Sequence, residues 1–260
     1  IGLGRIEAAR RALRGVSLDG SLRRQYEKRQ FTRLPGHAFA PIRFESVRTR
    51  AIAALGDPRL SPCAFLEGSQ AERQGIPREV VTHAVRRYTT DVPSLLPDVA
   101  ALLDEGLVQA IRSCIGSHFA LEDVVVTRNF HVEPEITARY ELLSERWHFD
   151  HPLPDGFSLF VCLSELTDRD GPFHVLSAPD SRLLLRRGFD AARRITSPTG
   201  GLPPGLIEGM ESLTRLTGPP GSMLLCHTRY CLHRAVLPEP GRIRDILIIT
   251  FHPIHEMDLR

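Results

Sequence analysis

The stretch Arg146-Trp147-His148-Phe149-Asp150-His151-Pro152 offers an imidazole and a carboxylate two positions apart. On a β-strand, side chains at i and i+2 project from the same face, so His148 and Asp150 can grip one metal ion from one side. The best candidate for a third ligand is His233, in Cys231-Leu232-His233-Arg234-Ala235-Val236. Two imidazoles and one carboxylate on one face of an ion, with the other face open, are the ligand set of non-heme Fe(II) centres. An H-x-D pair is a short motif that chance produces readily, so its weight comes from the segments around it.

Those ligands need strands, and strand signals dominate the second half of the chain. Val124 to Val132 is β-branched and extended in pattern. Shorter strand signals follow at Ser158 to Leu163, Phe173 to Leu176, Ser222 to Cys226 and Ile246 to Phe251, punctuated by Gly171-Pro172, Pro219-Pro220-Gly221 and Pro238 to Gly241. The first half reads as helical. Ile6 to Leu13 and Phe44 to Leu55 place apolar residues at helical spacing, and Asp98 to Phe119 is the strongest helix, with Val99, Leu102, Leu103, Leu107, Ala110 and Ile111 on one side. Tyr26 to Leu34 is closed by the turn Pro35-Gly36, and Gly56 to Leu95 is an irregular segment of the kind that forms a lid or is simply disordered, a choice the sequence does not make. Helices followed by many short strands predict an α+β chain, its helices packed on a sandwich or barrel. No repeat or linker divides it, so one domain over 1–260 is expected, helical and loop-rich to about 120 and β-rich from about 121.

Composition narrows the function. A net charge of +2 with no concentrated basic run gives no reason to expect a nucleic-acid partner. Lys28 is the single lysine and no G-x-x-x-x-G-K is present, which excludes a P-loop. Cys63, Cys114, Cys162, Cys226 and Cys231 are odd in number and contain no C-x-x-C, the usage of a reduced, cytoplasmic protein. No apolar run reaches membrane-spanning length and no signal peptide is visible. The pair Cys226 and Cys231 has no recognised metal-ligand spacing with His227 and reads as buried thiols. Trp147, the single Trp, reads as packing beside the site. His131 and Arg128 lie on opposite faces of their strand, so one of them is expected to face a cavity.

Three further segments follow the H-x-D stretch in order. They are Gly171-Pro172-Phe173-His174-Val175-Leu176-Ser177-Ala178-Pro179-Asp180-Ser181-Arg182, then Gly221-Ser222-Met223-Leu224-Leu225-Cys226-His227 just before His233, then Arg242-Ile243-Arg244. In this order they resemble the phytanoyl-CoA dioxygenase family of Fe(II)/2-oxoglutarate oxygenases. Its members show W-H-x-D, a G-P-L-x-x-x-P-G-S-H-like segment, a glycine-led strand into the distal His, and an Arg about ten positions later. The resemblance covers Glu145 to Pro253 and extends weakly to Gln30 to Gly36.

The resemblance implies a double-stranded β-helix, or jelly roll, with flanking N-terminal helices and the metal in its open mouth. It implies Fe(II) held by His148, Asp150 and His233, with 2-oxoglutarate and O2 as cosubstrates. The activity implied is hydroxylation, or another oxidation, of an unactivated C–H in a small-molecule metabolite or natural-product intermediate, with release of succinate and CO2. It also implies an arginine for the distal carboxylate of 2-oxoglutarate, since a guanidinium grips a carboxylate with two parallel hydrogen bonds. Arg244 lies 11 positions after His233 and Arg242 lies 9 after; strand parity is the same for both, and the longer spacing favours Arg244. His227 falls where the family has no ligand, and His151 and His174 read as polar groups near the mouth. Ala178-Pro179-Asp180-Ser181 departs from the family's G-S-H pattern, so that loop is expected to differ. Related halogenases lack a carboxylate at the position of Asp150, and its presence favours hydroxylation over halogenation. Two rival readings are a β-helix used only for binding and a metal oxygenase that uses no 2-oxoglutarate; an intact triad followed by Arg244 argues against both.

Overall fold

The computed structural model describes residues 20–36, 38–56, 86–88, 92–139, 145–150, 156–195, 197, 199–203 and 205–254. The expected helix at Ile6 to Leu13 and nearly all of the irregular Gly56 to Leu95 segment lie outside these residues.

Helix α1 (Gly20–Arg29) runs into strand β1 (Phe31–Leu34) through Gln30, whose φ of 62° ends the helix and turns the chain. The stretch from Tyr26 to Leu34 is therefore half helix and half strand. Helix α2 (Pro41–Gly56) buries Phe44, Val47, Ala51 and Leu55, the apolar face its spacing predicts. After the short strand β2 (Arg86–Tyr88), the long helix expected from Asp98 to Phe119 is two helices, α3 (Val92–Leu102) and α4 (Glu105–Ile115). Asp104 makes the break. One carboxylate oxygen caps α4 by accepting from the Leu107 N–H, and the other accepts from the Ala40 N–H at 3.1 Å. The apolar spacing runs across this break because both helices bury the same side, so periodicity alone does not register it.

The remaining elements are β3 (His118–Phe130), α5 (Pro134–Arg139), β4 (Phe157–Cys162), β5 (Phe173–Val175), α6 (Ala178–Arg186), β6 (Thr214–Leu216), β7 (Met223–Cys226), β8 (His233–Ala235) and β9 (Ile243–Ile254). They form two antiparallel sheets, a six-stranded one in the order β1-β7-β4-β9-β3-β2 and a three-stranded one in the order β6-β5-β8.

Alternation along these strands sorts the core into three layers. Phe160, Leu224, Cys226 and Ile246 of the large sheet meet Phe173, Val175 and Leu216 of the small sheet, so the two sheets face each other. Leu159, Val161, Leu225, Leu247, Ile249 and Phe251 point the other way, onto the helices. On the back of the small sheet, Trp147, Leu176 and Leu232 pack with Leu184 of α6 and with Phe189, Leu202 and Ile207. Arg33, in register with inward-facing Leu224, donates to the carbonyl oxygens of Arg215 and Thr217 and ties the edge of the large sheet to β6 and the residue after it. Among the described residues, no helix is long and apolar enough to cross a membrane.

Candidate metal centre

His148 and His233 meet across a single antiparallel bridge. Each backbone N–H donates to the other's carbonyl at 3.0 Å, which makes them directly opposed residues. His233 opens β8, where it shares the inward face with Ala235, next to Val175 and the ring of Phe173. The bridge puts His148 on that same face, with the two imidazole centroids 4.3 Å apart. Asp150 follows on the same side, its backbone N–H held by the Thr228 carbonyl at 3.3 Å. Its two oxygens lie 3.5 Å from His148 Nε2 and 3.5 Å from His233 Nε2.

The three side chains singled out by the sequence thus converge, with one ligand atom from each within 4.8 Å of the others. Among the described residues this is the group of His, Cys, Asp and Glu side chains able to hold a metal, and His227 stands outside it. The outer nitrogens are already engaged: His148 Nδ1 meets the Arg146 carbonyl at 2.7 Å and His233 Nδ1 meets the Cys231 carbonyl at 2.8 Å. A carbonyl can only accept, so each Nδ1 carries a proton and each Nε2 is the ring atom turned toward Asp150, the arrangement metal-ligating histidines use. Burial and the neighbouring His233 push the His148 imidazole down, toward the neutral form that binds metal. Burial works against the Asp150 carboxylate, but the two imidazoles outweigh it and hold its carboxyl well below the ordinary range. Ligand atoms about 2.0–2.2 Å from one ion sit about 3 Å apart when adjacent, so this donor set fits a first-row metal after a small inward movement.

The two candidate arginines separate on burial. Arg242 lies in the turn before β9, its side chain about half exposed and 3.7 Å from Asp170. Arg244 is 2% exposed and donates from Nη1 to the Gly171 carbonyl at 2.7 Å. Its register neighbour on β3 is Asn129, and Thr127 pairs with Ile246, so these residues share the face turned toward the small sheet. Gly171 sits at φ 70°, where an added Cβ would lie 2.4 Å from the Val236 carbonyl oxygen, so only glycine can present its carbonyl to Arg244 in this way.

Several sequence expectations take a different form. His174 does not sit at the mouth; it lies between Arg215 and Arg234 in register, on the back of the small sheet, with its ring 6.3 Å from Trp147. Trp147 is fully buried on that back face, packing beside the site as the sequence suggests. Arg128 also faces away from the space between the sheets, gripping Asp245 with bonds of 2.7 and 2.6 Å, while His131 Nδ1 meets the Pro238 carbonyl. The segment at Ala178-Pro179-Asp180-Ser181 is the first turn of α6, capped by Ser177. Cys226 and Cys231 are free, buried thiols. His151 lies outside the described residues. Ser181 also supports the site: its Oγ accepts the Leu232 N–H at 2.8 Å and so fixes the backbone just before His233. No spacing rule signals it, because it acts on a residue distant in sequence.

No protein-family model matches the sequence, and no curated protein matches it. Solved structures do. HygX from Streptomyces hygroscopicus, with nickel and 2-oxoglutarate bound, aligns with a TM-score of 0.53 at 16% identity, over 91% of this chain and 88% of that one. SnoN, the non-heme alpha ketoglutarate dependent epimerase from nogalamycin biosynthesis, aligns with a TM-score of 0.57 at 16% identity, over 95% and 84%. At this identity the likeness establishes a shared fold: helices on antiparallel sheets, as in these two enzymes.

Proposed function

We propose that this chain is an Fe(II)- and 2-oxoglutarate-dependent dioxygenase of the phytanoyl-CoA dioxygenase type, acting as one domain in which the facing sheets form a double-stranded β-helix. The observation that carries the reading is the convergence of two Nε2 atoms and one carboxylate, with both Nδ1 atoms already tied to carbonyls. His148, Asp150 and His233 are the proposed ligands, and they leave the rest of the ion's coordination sphere to cosubstrates. Held there, iron would supply the oxidising chemistry, with 2-oxoglutarate and O2 as cosubstrates and succinate and CO2 as their products.

The chain's own groups do the rest. The two Nδ1–carbonyl hydrogen bonds keep both Nε2 atoms aimed at the ion's place. Arg244, buried on the inward face, is the proposed partner of the distal carboxylate of 2-oxoglutarate; away from water its guanidinium fork holds a carboxylate in one orientation. The apolar wall between the sheets, with Phe160 stacked on Phe173, limits access of water to the reacting C–H. Support for the cosubstrate comes from HygX and SnoN, which share the fold and have been crystallised with 2-oxoglutarate and a metal. HygX has also been seen with hygromycin B and SnoN with nogalamycin RO, which supports a natural-product-sized substrate here.

Hydroxylation of an unactivated C–H is the proposed outcome, and Asp150 favours it over halogenation. One observation favours a second outcome: SnoN is an epimerase, so inversion at the attacked carbon is the alternative on the same machinery. The test is succinate release with Fe(II), 2-oxoglutarate and O2 across a panel of small molecules. A product that gains one oxygen marks hydroxylation, and one of unchanged mass and altered stereochemistry marks epimerisation. Failure to bind Fe(II), or binding without any spectral response to 2-oxoglutarate, overturns the proposal.

A further inference from the structure

The ligand-bearing bridge has little backbone to hold it. His148 is paired with β8 at one position, through the two hydrogen bonds it exchanges with His233, and Asp150 adds one more to Thr228. One step along, antiparallel register sets Trp147 opposite Arg234. Both side chains alternate to the back of the small sheet, directly behind the two imidazoles. There the guanidinium carbon of Arg234 stands 4.8 Å from the centre of the Trp147 ring. Glu208 Oε1 lies 3.4 Å from Nη2 of the same guanidinium. Burial works against the Arg234 charge, so the ring face and Glu208 must compensate for lost water.

We propose that Trp147 and Arg234 are positioning residues, a cation–π clasp on the back of the bridge that sets the separation of His148 and His233. The inference rests on the metal-centre reading given above. Its physical basis is that residues opposed across a strand pair move together: loosening the pair behind the bridge lets the two imidazoles in front drift apart. A clasp made of side chains is needed because the backbone ladder at this point is one residue long.

The test compares wild type with Arg234→Met, Arg234→Lys, Trp147→Phe and the control Leu184→Ala, which removes packing from the same outer cluster without touching the bridge. Two readouts are used: Co(II) titration followed by visible absorption, and exchange of the His148 and His233 backbone amides in the metal-free protein. Arg234→Met keeps the apolar stem and loses the charge; it is expected to weaken Co(II) binding about 10-fold, alter the Co(II) spectrum and speed exchange at both amides. Arg234→Lys restores most of both properties, and Trp147→Phe, with a smaller ring face, falls between. Leu184→Ala lowers the melting temperature but leaves affinity, spectrum and both amides as in wild type. Wild-type affinity and amide protection in Arg234→Met overturn the clasp, as does an equal loss in Leu184→Ala. Should Arg234→Met not fold, Trp147→Phe and Arg234→Lys carry the same comparison, and wild-type behaviour in both overturns it. If wild type itself binds no Co(II), the metal reading falls while amide exchange still decides the clasp.

Discussion

Strand β9 lies between β3 and β4, paired with β3 from His118↔Ile254 to Phe130↔Ile243 and with β4 from Phe157↔Phe251 to Cys162↔Ile246. The small sheet has strands of three residues, and His148 joins it through one bridge. Arg244 therefore takes its direction from a long backbone ladder, whereas the proposed ligands take theirs from side-chain and carbonyl contacts: Arg146 and Cys231 on the imidazoles, Ser181 on Leu232, and Arg234 on Trp147. The contrast teaches that the proposed site is built with two kinds of tolerance. Changes near Arg244 should act through Arg244 itself, and changes around the bridge should act at a distance.

The largest expected effect breaks the small-sheet side outright. His233→Ala removes a proposed ligand and should abolish both Fe(II) binding and succinate formation. His227→Ala, outside the converging group, should keep both. Iron titration and turnover of the two variants check this, and near-wild-type activity in His233→Ala would sink the ligand assignment. Asp150→Ala should lose hydroxylation without gaining efficient chlorination, because a halide needs a shaped pocket as well as an open coordination position. Analysis of its products in chloride tests that.

On the large-sheet side, Arg244→Ala removes one partner of a proposed buried charge pair, a loss of about 3–5 kcal/mol. At about 1.4 kcal/mol per tenfold, the 2-oxoglutarate requirement should rise at least about 100-fold. Arg244→Lys should rescue in part, since an ammonium keeps the charge and loses the fork. Iron affinity should hardly change, and Arg242→Ala, in the exposed turn, should leave the 2-oxoglutarate titration as in wild type. A large loss in Arg242→Ala with none in Arg244→Ala would reverse the assignment.

The same contrast explains what the sequence made legible. Ile246 to Phe251 and Val124 to Val132 read as strands because long β-branched runs carry a period of two over many residues. Strands β6 and β8 are three residues long, too short for any period, and no turn signal directly precedes them, whereas the equally short β5 is marked by Gly171-Pro172 before it. The converging triad was legible because H-x-D puts His148 and Asp150 on one face of an extended chain, and the resemblance, with its glycine-led strand, marks His233. The face of Arg128, the position of His174 and the contact of Ser181 were not, since each depends on which neighbour the tertiary structure supplies. Burial separates Arg244 from Arg242, which parity leaves equal.

A smaller effect sharpens the comparison without touching a ligand. Ser181→Ala leaves the buried Leu232 N–H without its acceptor, which costs about 1–3 kcal/mol. Thermal unfolding of the metal-free protein should show it. Ser158→Ala on β4 should cost much less, because its hydroxyl contact to Thr250 is a long 3.5 Å and the backbone ladder carries the strand. Equal losses would mean that the two sheets do not differ in the way argued.

A further effect is a pH dependence of the back of the small sheet. Burial first, then the charges of Arg234, Arg215 and Arg244, push the His174 imidazole down to about 3. Its unfolded value is about 6.5, so between these pH values the unfolded chain takes a proton that the folded chain refuses. The linkage sign follows: the contribution of His174 is fully retained above about pH 6.5 and is lost as pH falls toward about 3, at up to about 1.4 kcal/mol per pH unit. Near pH 5.5 this amounts to about 1.4 kcal/mol. His174→Gln keeps a polar side chain and removes the titration, so its melting temperature should fall less steeply than that of wild type between pH 6.5 and pH 4.5. Other titrating groups, His148 included, are common to both proteins and cancel in the difference. Parallel curves would show that His174 accepts its proton in place, and that the layer behind the bridge is open enough to water to take up a charge between two arginines.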